Sequence, residues 1–178
     1  MTDTMQDARY PVGRFDPAQQ VARTELPRFI ATLAALPAQL RAAVGDLSGD
    51  QLDTPYRDGG WTVRQLVHHV PDSHLNAYVR FRLALTEDNP TIRTYMQERW
   101  AELPDARSAD VEMSLALLES LHARWVFLLR AMSEDDFDRT LQHPEWGRLT
   151  LWTMLLLYEW HCRHHLAHVL RLRERMGW

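Results

Sequence analysis

The stretch TLWTMLLLYEWHCRHHLAHVLRLRERM, residues Thr150–Met176, decides how the chain is read. Leu151, Leu155, Tyr158, Val169, Leu172 and Met176 recur at intervals that suit one face of a helix, and they do not alternate as a strand would. The spacing predicts a helix from about Thr150. The same periodicity upstream predicts three more. Leu26, Phe29, Ile30, Leu33, Leu36, Leu40, Val44 and Leu47 form one stripe, with Pro37 inside it as a kink that removes a backbone donor. A second helix follows the turn Pro55-Tyr56-Arg57-Asp58-Gly59-Gly60. Thr62 and Gln65 have capping-box spacing there, and Val63, Val67, Val70, Tyr78, Phe81 and Leu85 carry the stripe. A third starts at a cap on Asp110 and runs through Leu115, Leu118, Leu121, Trp125, Leu128 and Met132. The expected fold is all-α, a four-helix bundle. The link from Glu87 to Ala109, with Pro90 and Pro104 around a short periodic piece, Tyr95 to Leu103, is too long for a tight turn and implies one long crossover connection. Tyr10-Pro11-Val12-Gly13, with Pro17, reads as an extended arm before the first helix.

Around this frame, 178 residues that are 46% hydrophobic suit a single domain over 1–178, with a core large enough to need no disulfide or structural metal. The lone cysteine, Cys162, cannot make an internal bridge, so a disulfide-built secreted scaffold is excluded and a reducing cytoplasm is expected. A net charge of -4 argues against nucleic acid as a partner. Met1 to Arg9 contains Asp3 and Asp7 and no apolar leader core. The most apolar later stretch, Leu149 to Trp160, is too short to span a bilayer and is interrupted by Thr150, Thr153 and Glu159. No membrane or targeting segment is expected.

Nine histidines are the unusual count, and most fall on two helices: His68, His69 and His74 on the second, His161, His164, His165 and His168 on the fourth. At about 100° per residue, His165 falls within the apolar stripe and His161 one turn earlier on its flank. An i, i+4 imidazole pair of this kind suits a metal. A third nitrogen from a facing helix would complete a site with an open position for water or substrate. The competing reading is a solvated histidine face, with His168 or Arg171 answering the helix dipole. On the second helix periodicity favours His74 as the third ligand, with His69 at the edge of the stripe and His68 pointing nearly away. Pro71 can bend that helix and spoil the wheel. Cys162 reads as a small buried hydrophobe, and His122 and His143 as isolated, hydrogen-bonded structural residues. Trp61, Trp125, Trp152 and Trp160 read as core packing, while Arg57 and Asp58 either touch a ligand or fix their turn. No phosphate loop, G-x-S-x-G elbow or paired-cysteine zinc signature is present.

Several blocks resemble a known family: Tyr10-Pro11-Val12-Gly13, the run Gln51 to Gln65 with its Asp58-Gly59-Gly60-Trp61 core, His68-His69, Trp160-His161, His164-His165, His168 and Arg175-Met176-Gly177-Trp178. The family is that of the DinB-like four-helix-bundle metalloproteins, and within it the YfiT-type metal-dependent hydrolases, also described as bacillithiol transferases. The resemblance implies metal ligands at His69, eight positions after Trp61, and at His161 and His165. It thereby prefers His69 to the His74 of the wheel. It implies one divalent metal per subunit, a homodimer and a cytoplasmic location. Pro71 departs from the family pattern, in which a small helix former such as alanine is expected; it leaves the carbonyl of Val67 without its helical donor and threatens to shift His69.

Two functions of different class are consistent with these residues. In the first, a divalent ion on His69, His161 and His165 activates water or a low-molecular-weight thiol, giving a hydrolase or a thiol S-transferase acting on a small-molecule substrate. Zinc is the first expectation, and nickel suits the same nitrogen ligands. No general base stands out; Asp72, Glu159 and His164 lie near the ligands in sequence. In the second, the chain is a non-catalytic metal-binding, stress-response module.

Overall fold

The structure is a computed structural model that describes residues 7–178. Part of the reading of the N terminus, including Asp3, lies outside the described residues. The helices are α1 (Leu26–Val44), α2 (Gly49–Leu52), α3 (Val63–Thr86), α4 (Gln97–Trp100), α5 (Pro104–Ser108), α6 (Val111–Ala131) and α7 (Leu151–Met176). The four long ones, α1, α3, α6 and α7, are those the periodicity predicts. The starts of α3, α6 and α7 are fixed by side chains that satisfy backbone N–H groups left free in a first turn, whereas α1 opens with Pro27 and no side-chain cap. The Thr62 hydroxyl accepts from the Gln65 N–H at 3.1 Å while the Gln65 side chain accepts from the Thr62 N–H at 3.0 Å. Asp110 accepts from the Glu112 N–H at 2.9 Å, and Thr150 from the Thr153 N–H at 3.1 Å.

Cross-helix pairs fix the topology. His68 meets Ser114 and His74 meets His122, so α3 and α6 lie side by side and parallel. Arg28 meets Glu159 and Arg173 meets Ala43, so α1 and α7 are parallel as well. By contrast, the Leu33 carbonyl meets His122 and Arg41 meets Glu112, making α1 antiparallel to α6. Tyr158 meets Ser73 while His165 meets His69, making α3 antiparallel to α7. The chain therefore runs up, down, down, up. Two neighbouring parallel helices need a connection as long as themselves, and residues 87–110 supply it as the expected crossover. That connection is anchored at its far end by Gln65, whose side-chain amide donates to the Ala101 carbonyl at 2.8 Å.

The all-α reading needs one addition. A two-stranded hairpin, β1 (Thr140–His143) and β2 (Gly147–Thr150), joins α6 to α7, pairing Leu141 with Leu149 across its register. Both leucines are buried. Gly147 takes a positive φ of 71° in the turn, a conformation that carries no Cβ penalty for glycine alone. The core joins all four long helices, with Leu33, Leu118, Phe81, Trp125 and Leu155 fully enclosed. Both internal prolines are accommodated within helices that continue past them, Pro37 in α1 and Pro71 in α3.

Candidate metal centre

His69 sits on α3 two turns after its capping box, and antiparallel packing sets it opposite His161 and His165 on α7. One ring nitrogen from each of the three lies within 4.8 Å of the others. His161 and His165 face each other at 3.0 Å between Nε2 atoms, the result of their i, i+4 spacing. Two nitrogens bound at about 2.0–2.1 Å to one tetrahedral ion stand ~3.3 Å apart, so this pair needs only a small separation to hold a metal. The Nδ1 atom of His165 is buried without a hydrogen-bond partner among the described residues. The donor set is therefore three imidazoles with no carboxylate or thiolate, and it fits a borderline divalent ion.

Pro71 does not displace His69 from this cluster. Its imidazole packs against the Trp61 ring, centroids 4.7 Å apart, so the residue that opens α3 also braces His69. Burial is the main cause that lowers the pKa of all three histidines, to about 4 for His69 and well below the ordinary value for His161 and His165. All three are neutral near pH 7, and neutral nitrogen is the form that ligates.

The cluster forms part of the wall of a cavity of about 410 Å³. Arg9 and Tyr10 from the N-terminal arm, Arg57 from the turn before α3, and Glu98 from the crossover share that wall. The arm's place is set by Trp160, whose indole N–H donates to the Gly13 carbonyl at 3.0 Å. Gly60 lets the turn close: a Cβ there would stand 2.7 Å from Cγ of Arg57 and 3.2 Å from the Tyr56 ring. A second cavity, of about 400 Å³, meets the first at His161, Gln97 and Glu98. Of the two readings of Arg57 and Asp58, Arg57 lines the cavity and also donates to the Asp58 carbonyl at 3.0 Å.

The other sequence candidates are placed as follows. His74 is fully buried, as the wheel requires, but its two nitrogens meet His122 at 2.7 Å and His161 at 2.9 Å. His68 is buried against α6 and the crossover, its Nδ1 2.7 Å from the Ser114 hydroxyl, whereas the wheel had it pointing nearly away from the core. His164 lines the cavity and faces His168 at 3.2 Å between Nε2 atoms; burial lowers its pKa to about 4. Glu159 is buried in ion pairs with Arg163 and Arg28. Asp72 lines neither cavity, and burial raises its carboxyl pKa to about 6. Cys162 is buried in the core, and burial pushes its thiol well up. Trp125 and Trp152 belong to the core as expected, Trp61 packs against that core while also lining the cavity, and Trp160 lines the cavity. Glu98 carries no sequence signal; only the crossover's path over the cluster reveals it.

Residues 32–169 match the family model described as the DinB superfamily. Relatives from Bacillus cereus (strain 03BB102) and Bacillus mycoides (strain KBAB4) are each 51% identical over 174 residues, covering 98% of this chain and 100% of theirs. Both carry the name "Putative metal-dependent hydrolase". Among solved structures the chain resembles YfiT from Bacillus subtilis, with a TM-score of 0.93 and 47% identity over 97% of this chain and 99% of that one. YfiT is described there as "a probable metal-dependent hydrolase with an unusual four-helix bundle topology". The up, down, down, up order derived above thus accompanies close similarity in sequence along almost the whole length, and the chain belongs to the DinB superfamily.

Proposed function

We propose that the protein is a divalent-metal-dependent hydrolase or thiol S-transferase in which His69, His161 and His165 hold one ion per subunit, zinc before nickel. The observation that carries this reading is the convergence of three buried imidazole nitrogens within 4.8 Å on the wall of an open cavity. A bound divalent ion with an open position lowers the pKa of water or of a thiol near it, which serves either reaction.

The chain's own residues supply the rest. Arg57 brings positive charge to the cavity wall, which favours an anionic small molecule or a thiolate, whereas the Arg9 charge there is paired with Asp7. Trp61 and Trp160 give the wall apolar faces. Glu98 is the carboxylate among the described residues of that wall and is assigned the role of proton acceptor, because Glu159 is held by two arginines. The protein is further proposed to be a cytoplasmic homodimer acting on small molecules. Exposed apolar side chains on α3 and α6, among them Val79, Leu117 and Phe127, support a second copy as partner. No helix among the described residues is long and apolar enough to cross a membrane.

Metal analysis of the purified protein, followed by ester-hydrolysis and thiol-consumption assays on loaded and chelated samples, tests the proposal. Metal-dependent turnover in one assay supports it and selects the reaction. Stoichiometric metal with no turnover of either kind supports the non-catalytic metal-binding module, and absence of metal binding overturns both.

A further inference from the structure

We propose that His122 and His74 are positioning residues that fix which nitrogen of His161 is free, through a one-way chain of hydrogen bonds that starts at the Leu33 carbonyl. The inference rests on the metal reading above for its use, but its geometry stands apart from it.

The chain begins with a proline. Pro37 has no N–H, so the carbonyl of Leu33, four residues earlier in α1, lacks its helical donor. His122 on α6 fills that gap, with Nδ1 2.6 Å from the Leu33 oxygen. A carbonyl can only accept, so the proton is on Nδ1 of His122. A neutral imidazole has one N–H, which leaves Nε2 of His122 as an acceptor. The Nδ1 atom of His74 lies 2.7 Å from it and must donate. That in turn leaves Nε2 of His74 bare, facing Nδ1 of His161 at 2.9 Å, which must also donate. The lone pair of His161 is thereby confined to Nε2, the atom that faces His165. The Ser73 hydroxyl oxygen also lies near it, at 3.5 Å.

The reverse polarity would require a charged histidine in the chain. If His74 donated from Nε2, His122 would have to donate from both nitrogens. His122 is 1% exposed and His74 is 0% exposed, and among the described residues they meet the Leu33 carbonyl, His161 and the rings of Trp125 and Tyr158. Among the described residues no carboxylate hydrogen-bonds either ring, and an uncompensated buried charge is costly. Burial likewise lowers the pKa of His122 to about 4. In water, free imidazole side chains prefer the Nε2–H tautomer, so the relay imposes the opposite form on three residues in succession. Outer partners of this kind orient a ligating histidine and raise its basicity, and their loss typically costs ~10–100-fold in metal affinity.

Two measurements test the chain. In metal-free protein, long-range ¹H–¹⁵N correlation of the imidazoles should show His122, His74 and His161 all as Nδ1–H tautomers. An Nε2–H form at His74 or His161 overturns the proposal whether or not the protein binds metal. The second is zinc affinity by competition with a chromophoric chelator. His122→Leu, which removes the acceptor for His74, should weaken zinc binding by about 10–100-fold. His122→Gln, whose side-chain oxygen can accept from Nδ1 of His74, should stay within about threefold of the parent. Equal affinity in the parent and His122→Leu overturns the proposal, as does equal loss in both variants. If the parent binds no zinc, the metal reading fails, and the tautomers alone decide the inference.

Discussion

Nδ1 of His122 stands 2.6 Å from the carbonyl oxygen of Leu33, the oxygen that Pro37 deprives of its helical donor. A proline and a histidine 85 positions apart are therefore one structural unit. His122→Ala should cost about 3 kcal/mol, since it opens a cavity and leaves two buried polar partners unmatched. In a Pro37→Ala background the Leu33 carbonyl regains a backbone donor, and the same substitution should cost about 1 kcal/mol less. A urea-denaturation double-mutant cycle measures this coupling; additive losses would contradict it.

Metal occupancy should fall far more in His161→Ala and His165→Ala than in His164→Ala, because Nε2 of His164 is engaged by His168 and His164 is not one of the three convergent ligands. On α3, His69→Ala should be more damaging than His68→Ala or His74→Ala. Loss of one nitrogen ligand should reduce affinity by at least the ~10–100-fold expected for an outer partner. Metal content surviving His69→Ala and vanishing with His74→Ala would reinstate the wheel's choice.

Removing metal should leave the bundle folded. Leu33, Leu118 and Leu155 are fully buried in a core that the histidine cluster does not supply, unlike small zinc domains whose folding is metal binding. Circular dichroism at room temperature should be nearly unchanged by a chelator, with Tm lowered only by the lost binding free energy. Collapse of helical signal on chelation would make the site structural.

Acid should destabilise the metal-free protein in a defined window. The folded-state pKa values of His69, His122 and His164 are each lowered to about 4 from the ordinary 6.5, with burial the first cause. Between those values the unfolded chain binds more protons than the folded one, so stability rises with pH there and is lost as pH falls from about 6.5 towards 4. For His122, the most deeply buried of them, the full loss is about 3 kcal/mol. Urea midpoints measured at intervals between pH 7 and pH 4.5 should decline steadily; a flat profile would refute the burial of neutral histidines.

The four long helices were legible because each carries a sustained apolar stripe, and the crossover because residues 87–110 are too many for a turn. The hairpin was not: two strands of four residues are too short for alternation to stand out beside long helical stripes. The wheel ranks histidines by depth, and His74 is indeed the deepest of its helix's three. What a wheel cannot register is that a deep imidazole is already engaged by a neighbour. The partner, His122, looks isolated in sequence because the parallel pairing of α3 with α6 exists only in three dimensions. The grouping of His69 with His161 and His165 follows from a family pattern anchored on Trp61, and the packing of the tilted Trp61 ring on His69 gives that spacing a physical reason. Glu98 and the seat of the N-terminal arm depend on loop paths, which periodicity does not encode.

The up, down, down, up order also bears on the sequence of events during synthesis. The first helix packs against the last, and the second meets its antiparallel partner only when the last is present. A growing chain that has emerged through α6 can form the parallel α3–α6 pair but has just one of the three clustered histidines. His161 and His165 lie on α7 and are synthesised after the other three long helices. The proposed three-histidine site can therefore assemble only after α7 has been made, so ion selection at that site belongs to the folded bundle and not to its earlier helices.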